Sequence, residues 1–137
     1  MTDTETKRLI TLAQEARATA YAPYSHVAVG AALLCKSGKV YTGANIENAA
    51  FSPGVCAERV AFMRAVHDGE REFTAIAVMG GEEGKSETVE FPPCGVCRQT
   101  MAEFCGKDFE IILSDGESIT SLTLGELLPH SFGKDFL

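Results

Sequence analysis

Basic charge is scarce in this 137-residue chain: 12 lysines and arginines stand against 19 aspartates and glutamates, a formal net charge of −7. A general nucleic-acid binder neutralises phosphates with a basic stripe, so this balance argues against a nucleic-acid polymer as partner. No run of 18 apolar residues occurs, and neither a transmembrane helix nor a membrane partner is expected. The opening stretch Met1–Arg8 is polar and lacks the apolar core of a secretory leader. Cysteine occurs five times, an odd number at irregular spacing, which speaks against a disulfide scaffold and for the reducing cytoplasm. Repeats and linkers are also missing. With 45% hydrophobic residues, the whole span 1–137 reads as a single domain with one core.

What is present has the periodicity of mixed structure. Leu9, Ile10, Leu12, Ala13, Ala16 and Ala20 form one helical face, with Thr4 as N-cap, Glu5 in the first turn and Pro23 as the stop. Residues 27–34 are small or apolar on both alternating faces, as in a strand covered on both sides. Lys36-Ser37-Gly38-Lys39 then turns into a second strand at 40–43. A loop at 45–53 precedes a helix from about Cys56 to Asp68, with Val60, Met63 and Val66 inward and Gly69 as the stop. A strand at 73–79, an acidic glycine-rich loop at 80–90, a helix at 94–106 and a strand at 109–113 follow. Asp115-Gly116 turns the chain toward a short strand at 118–122. Thr123 with Glu126 makes a capping box, and Leu122 with Leu127 a hydrophobic staple, for a last short helix. This order predicts an α/β fold of three layers, a central mixed sheet of about five strands flanked by helices.

The chemistry concentrates in Cys56-Ala57-Glu58 and Pro93-Cys94-Gly95-Val96-Cys97. Both pieces open predicted helices, where free N–H groups and the helix dipole favour thiolate. Two such helices side by side would gather Cys56, Cys94 and Cys97 into a zinc site. Three thiolates leave the fourth position of a tetrahedral zinc open for water, which separates a catalytic ion from a closed structural one. Glu58, two residues from the first thiolate, is the candidate catalytic proton shuttle. It can take a proton from the water and deliver protons to a departing amine. Arg59 is a candidate to hydrogen-bond a thiolate and offset the surplus negative charge of the site. Duller readings remain beside these. Cys94-x-x-Cys97 alone could be a redox dithiol, which leaves Cys56 and Glu58 without a role. His67 or Cys105 could close a structural zinc, although each lies well down its helix. Glu58 could be an ordinary first-turn acid, and Arg59 a solvated helix residue. His26, His67 and His130 follow no ligand spacing and suit surface or turn positions; Cys35 and Cys105 suit buried apolar ones. Three thiolates with a nearby glutamate resemble the three-cysteine variant of the zinc nucleobase deaminase motif.

The resemblance extends along the chain. Tyr21-Ala22-Pro23-Tyr24-Ser25, Val29-Gly30-Ala31-Ala32-Leu33, Asn45-Ile46-Glu47-Asn48-Ala49, Cys56-Ala57-Glu58-Arg59, Pro93-Cys94-Gly95-Val96-Cys97-Arg98-Gln99, Glu126-Leu127-Leu128-Pro129 and Phe132 are similar to the small homotetrameric zinc-dependent cytidine deaminases. That resemblance implies one zinc ion per subunit and hydrolytic deamination of free cytidine and 2′-deoxycytidine to the uridines and ammonia. Zinc-bound hydroxide would attack C4 while Glu58 moves the protons. It implies that Asn45 and Glu47 bind the ribose 3′-hydroxyl and that the Ala57 backbone reads the amide edge of the pyrimidine. It also implies that Phe132 stacks on the base from a neighbouring subunit of a homotetramer. Without it, Asn45 reads as a turn residue, Glu47 as a solvated acid and Phe132 as a core anchor.

Two positions depart from the family pattern. Val27 stands where phenylalanine usually faces the nucleoside, so an aromatic contact is lost and volume gained. Phe51 stands where tyrosine is common, and a hydroxyl is lost. Both bear on substrate preference more than on reaction type. The rival functions are deamination of a modified cytosine nucleoside such as blasticidin S, polynucleotide editing, and a non-enzymatic zinc-stabilised interaction module. Asn45 and Glu47 favour an ordinary nucleoside, and the acidic charge with no aromatic-rich extension opposes a polynucleotide.

Overall fold

The computed structural model describes every residue from Met1 to Leu137. Helix α1 (Asp3–Ala16) is followed by a 3₁₀ turn (Arg17–Thr19), strand β1 (Val27–Cys35) and strand β2 (Val40–Ala44). Then come α2 (Ala57–His67), β3 (Phe73–Glu82), α3 (Gly95–Phe104), β4 (Glu110–Ser114), β5 (Ile119–Thr123), α4 (Leu124–Leu127) and a final 3₁₀ turn (Lys134–Phe136). The five strands form one mixed sheet in the order β2-β1-β3-β4-β5. The pair β3/β4 is parallel and the other three pairs are antiparallel. No helix is long and apolar enough to cross a membrane.

Alternation along β1 explains the three layers. Val29, Ala31, Leu33 and Cys35 face a cluster completed by Phe62 of α2, Met101 of α3 and Leu124 of α4. Ala32 faces the other side, where Leu9 and Ala13 of α1 pack with Ala75, Ala77, Met79 and Ile112. Each cover approaches the sheet closely over a glycine. A Cβ on Gly30 would run into the Ala13 carbonyl of α1, and one on Gly43 would lie 2.5 Å from the Ala57 carbonyl oxygen of α2.

That approach corrects the expected inward face of α2. Ala57, Glu58, Ala61, Phe62 and Ala65 are the buried residues. Val60 and Val66 are half-buried, and Met63 is exposed. A helix backbone this near the sheet admits alanine where longer side chains do not fit. The first helix also differs from expectation at both ends. Its cap is Thr2, because Glu5 sits three residues on and completes a capping box; the residue three beyond Thr4 is Lys7, which cannot accept that bond. It ends at Ala16, where the 3₁₀ turn begins. Strand β3 runs on to Glu82 and α3 stops at Phe104, two residues short of Gly106. The capping box of Thr123 and Glu126 forms as read.

The topology puts one edge of the sheet to use. Since β1 is antiparallel to both β2 and β3, the C-terminal ends of β2 and β3 lie beside the N-terminal end of β1. Buried Arg17 ties this edge together: Nε donates to the Ala28 carbonyl at 2.8 Å and Nη2 to the Glu82 carbonyl at 3.1 Å. The chain leaves β2 toward α2 and β3 toward α3 from the same edge. The helix N-termini therefore meet there, in the manner of ligand sites outside the carboxyl ends of strands.

Candidate active site

Cys56 caps α2 and Cys94 caps α3, both in extended backbone conformation, and neither side chain bonds the orphan N–H groups of its helix. Cys97 lies one turn into α3 and is buried, Cys56 is half-buried and Cys94 exposed. The Cys56 and Cys94 sulfurs are 3.7 Å apart and those of Cys94 and Cys97 3.5 Å, with all three within 4.8 Å of one another. Two sulfurs each about 2.3 Å from a tetrahedral zinc lie about 3.8 Å from one another. The donor set therefore fits one zinc ion per subunit. No fourth side chain joins the group.

The electrostatics agree with a thiolate site. The Cys56 pKa is depressed chiefly by a hydrogen bond from the Cys97 thiol, with help from Arg59 and Cys94, against an opposing burial effect. Cys97 is pushed up by that same donation, and further by burial and the Glu58 charge. A dication among the three sulfurs would take the place of those protons. Arg59 Nη2 reaches the Gly54 carbonyl at 3.3 Å and the Cys56 sulfur at 3.9 Å. Burial works against its charge, and the hydrogen bonds with Cys56 and Cys97 more than offset this, so its pKa rises. Its Nε is buried without a partner.

Glu58, the second residue of α2, is 4% exposed. Burial is the main cause that pushes its pKa up to about 7, and the Cys56 charge adds to it; its backbone hydrogen bond, Cys97 and Arg59 pull the other way. A carboxyl poised near neutrality can both take up and release a proton.

Cys56, Cys94 and Glu58 line a cleft of about 660 Å³ that also contains Val27, Asn45, Glu47, Ala57 and Arg59, while Cys97 is buried and does not line it. Asn45 follows β2 directly; its Oδ1 accepts from the Val29 amide at 2.9 Å and its Nδ2 donates to the Val27 carbonyl at 2.8 Å. Glu47 Oε1 accepts from the amides of Tyr24 at 3.0 Å and Ser25 at 3.1 Å, while Oε2 accepts from the Ser25 hydroxyl. The Ser25 hydroxyl above all, then those two amides, hold its carboxyl below the usual range against a partial opposing effect of burial. Phe51 also lines the cleft, 89% exposed at its mouth. Phe132 does not line the cleft of its own chain. Its ring stacks on Phe136 with centroids 5.5 Å apart, 60% exposed, and its carbonyl accepts from Gln99 of α3 at 2.9 Å.

Sequence reading left Tyr24, Ser25 and Phe91 without a site role, yet all three line the cleft. The first two fall inside the Tyr21–Ser25 motif. Phe91 had one signal only, its place just ahead of Pro92-Pro93-Cys94. The three histidines lie outside the sulfur cluster. His26 occupies a left-handed backbone position and bonds Glu83 at 2.8 Å.

The family described as the cytidine and deoxycytidylate deaminase zinc-binding region matches residues 3–113. A cytidine deaminase of Sporosarcina psychrophila is 45% identical over 97% of this chain and 95% of its own length. One from Halalkalibacterium halodurans is 46% identical over 90% of this chain and 91% of its own. The crystal structure of cytidine deaminase from Burkholderia pseudomallei aligns with a TM-score of 0.84 at 42% identity, covering 96% of this chain and all of that one. The matched span takes in both cysteine-bearing helices and the strands that bring them together, and the chain therefore belongs to the cytidine and deoxycytidylate deaminase family.

Proposed function

We propose that the protein hydrolyses free cytidine and 2′-deoxycytidine to uridine and 2′-deoxyuridine with release of ammonia. The observation that carries this is the buried Glu58 carboxyl in the same cleft as Cys56 and Cys94, whose sulfurs gather with that of Cys97. Cys56, Cys94 and Cys97 would hold zinc, which when bound supplies the Lewis acidity that makes water nucleophilic near neutral pH. Glu58 accepts the proton that water loses on attacking C4. It returns protons to the exocyclic nitrogen, which leaves as ammonia while C4 becomes a carbonyl. Arg59 offsets the negative charge of the sulfurs and keeps Cys56 as thiolate.

Binding falls to the rest of the cleft. Asn45 keeps one amide hydrogen beyond its bond to Val27 for a sugar hydroxyl, and the ionised Glu47 keeps acceptor capacity for the same group. The Ala57 backbone, at the start of α2, reads the amide edge of the base. Residues 1–137 act as a single catalytic domain. Exposed Phe132 and the open cleft support a homotetramer in which a neighbour supplies that ring to the base. Five unpaired cysteines support a cytoplasmic setting.

The test is ammonia release from cytidine and 2′-deoxycytidine by zinc-loaded protein. Turnover of either supports the assignment. Silence on both, with turnover of blasticidin S, would move it to a modified cytosine nucleoside. Silence on all three would leave a zinc-stabilised interaction module.

A further inference from the structure

We propose that Phe91, seated on Gly80, is the aromatic wall of the nucleoside cleft in this chain, and that Val27 and Phe91 are sized to each other. The proposal rests on the deaminase reading above and adds a specificity-determining residue to it. Along the antiparallel pair of β1 and β3, Val29 stands opposite Gly80 and Val27 opposite Glu82. Alternation puts positions 27, 29 and 80 on one face, and Val27, Val29 and Phe91 all pack against the same cluster. A Cβ at position 80 would lie 2.5 Å from Phe91 Cγ and 2.7 Å from Cδ2, so the ring occupies the space that a side chain there would take.

The seat is firm on both sides of Phe91. The Val89 amide donates to the Gly80 carbonyl at 3.0 Å, and Pro92-Pro93 lead straight into the Cys94 cap of α3. Gly80 is the diagonal neighbour of Val27 across the strands, a separation of about 7–8 Å that an aromatic ring spans. Val27 and Phe91 line the cleft together with Cys56, Glu58 and Cys94. The remaining cleft aromatics, Tyr24 and Phe51, are 54% and 89% exposed, so Phe91 is the half-buried ring on the inner wall. The space conceded by valine at position 27 is thus met by a ring from a distant part of the chain. Phe91 lies three residues before Cys94 and sits on β3, whereas Asn45 and Glu47 follow β2 on the opposite side of β1.

An aromatic contact beyond its area burial corresponds to about two- to twelve-fold in binding. Phe91→Leu should therefore raise the Michaelis constant for cytidine by roughly that factor, with zinc content unchanged and kcat nearly so. The effect should be equal for 2′-deoxycytidine, since the wall faces the base. Phe91→Tyr keeps the ring and should keep the constant. Val27→Phe alone overfills the cleft and should also raise it, whereas Val27→Phe combined with Phe91→Val should return it toward the parent value. An unchanged constant in Phe91→Leu, or single effects that simply multiply in the double variant, overturns the wall while leaving the deaminase reading intact. A parent protein that releases no ammonia from cytidine overturns both.

Discussion

Replacing Gly43 by alanine should damage catalysis although position 43 is not among the cleft-lining residues. The new methyl would lie 2.5 Å from the Ala57 carbonyl oxygen and 2.6 Å from the Ala61 amide nitrogen, and neither backbone atom can rotate away. Reaching an ordinary contact of 3.4 Å requires α2 to retreat by about 0.9 Å. That helix carries the Cys56 cap, Ala57, Glu58 and Arg59. A misplacement of about 1 Å costs on the order of 10²-fold in rate, and kcat/KM should fall by about that much with partial loss of zinc. Alanine gains about 0.4–1 kcal/mol by restricting the unfolded chain, but overpacking costs about 1–3 kcal/mol. Against backbone atoms the clash wins. With an unfolding entropy of about 2.1 cal/mol/K per residue, a net loss of about 2 kcal/mol lowers Tm by roughly 7 °C.

Gly30→Ala is the matched comparison, because its methyl would strike the Ala13 carbonyl of α1 and lie 2.9 Å from the Arg17 nitrogen, on the opposite face. It should lower Tm at least as far while zinc content stays full and kcat/KM stays within about threefold, since none of the zinc ligands is on α1. Gly106→Ala, with nothing within 4 Å, serves as control. The assays are thermal melting, metal content by atomic emission and ammonia release from cytidine. Parental kcat/KM and zinc in Gly43→Ala would refute the reasoning, as would an equal loss of activity in Gly30→Ala.

Three further outcomes are expected. Cys94→Ala should lose zinc, and with it the tie between α2 and α3; full metal content in that protein would remove the ligand assignment. Glu58→Gln should keep its metal while turnover falls by roughly 10²–10⁴-fold, the range for a positioned acid–base group; near-parental turnover would dismiss the proton-shuttle role. Phe132→Ala should raise the Michaelis constant with unchanged zinc, and the parent should scatter light as a tetramer; a fully active monomer would contradict the shared site.

Much of this protein is written in local spacing. Cys94-x-x-Cys97 turns once around the start of a helix, and Cys56 and Glu58 share the first turn of another, so the candidate ligand set and the proposed proton carrier are visible without coordinates. Periodicity likewise marks the strands and helices in order, because it depends on residues a few positions apart. Contacts between distant segments do not show in this way. Hydrophobicity points Val60, Met63 and Val66 of α2 inward, whereas the bare backbone of Gly43 draws the helix so close that Ala57, Ala61 and Ala65 are the buried positions. The pKa of about 7 at Glu58 comes mainly from burial, which exists only once α2 is docked. Val27 reads from sequence as a lost aromatic contact, and only the β1/β3 register sets Gly80, with the Phe91 ring seated on it, diagonally across from that position. Strand pairing joins residues far apart in the chain, and no local pattern records which side chain fills a neighbour's space.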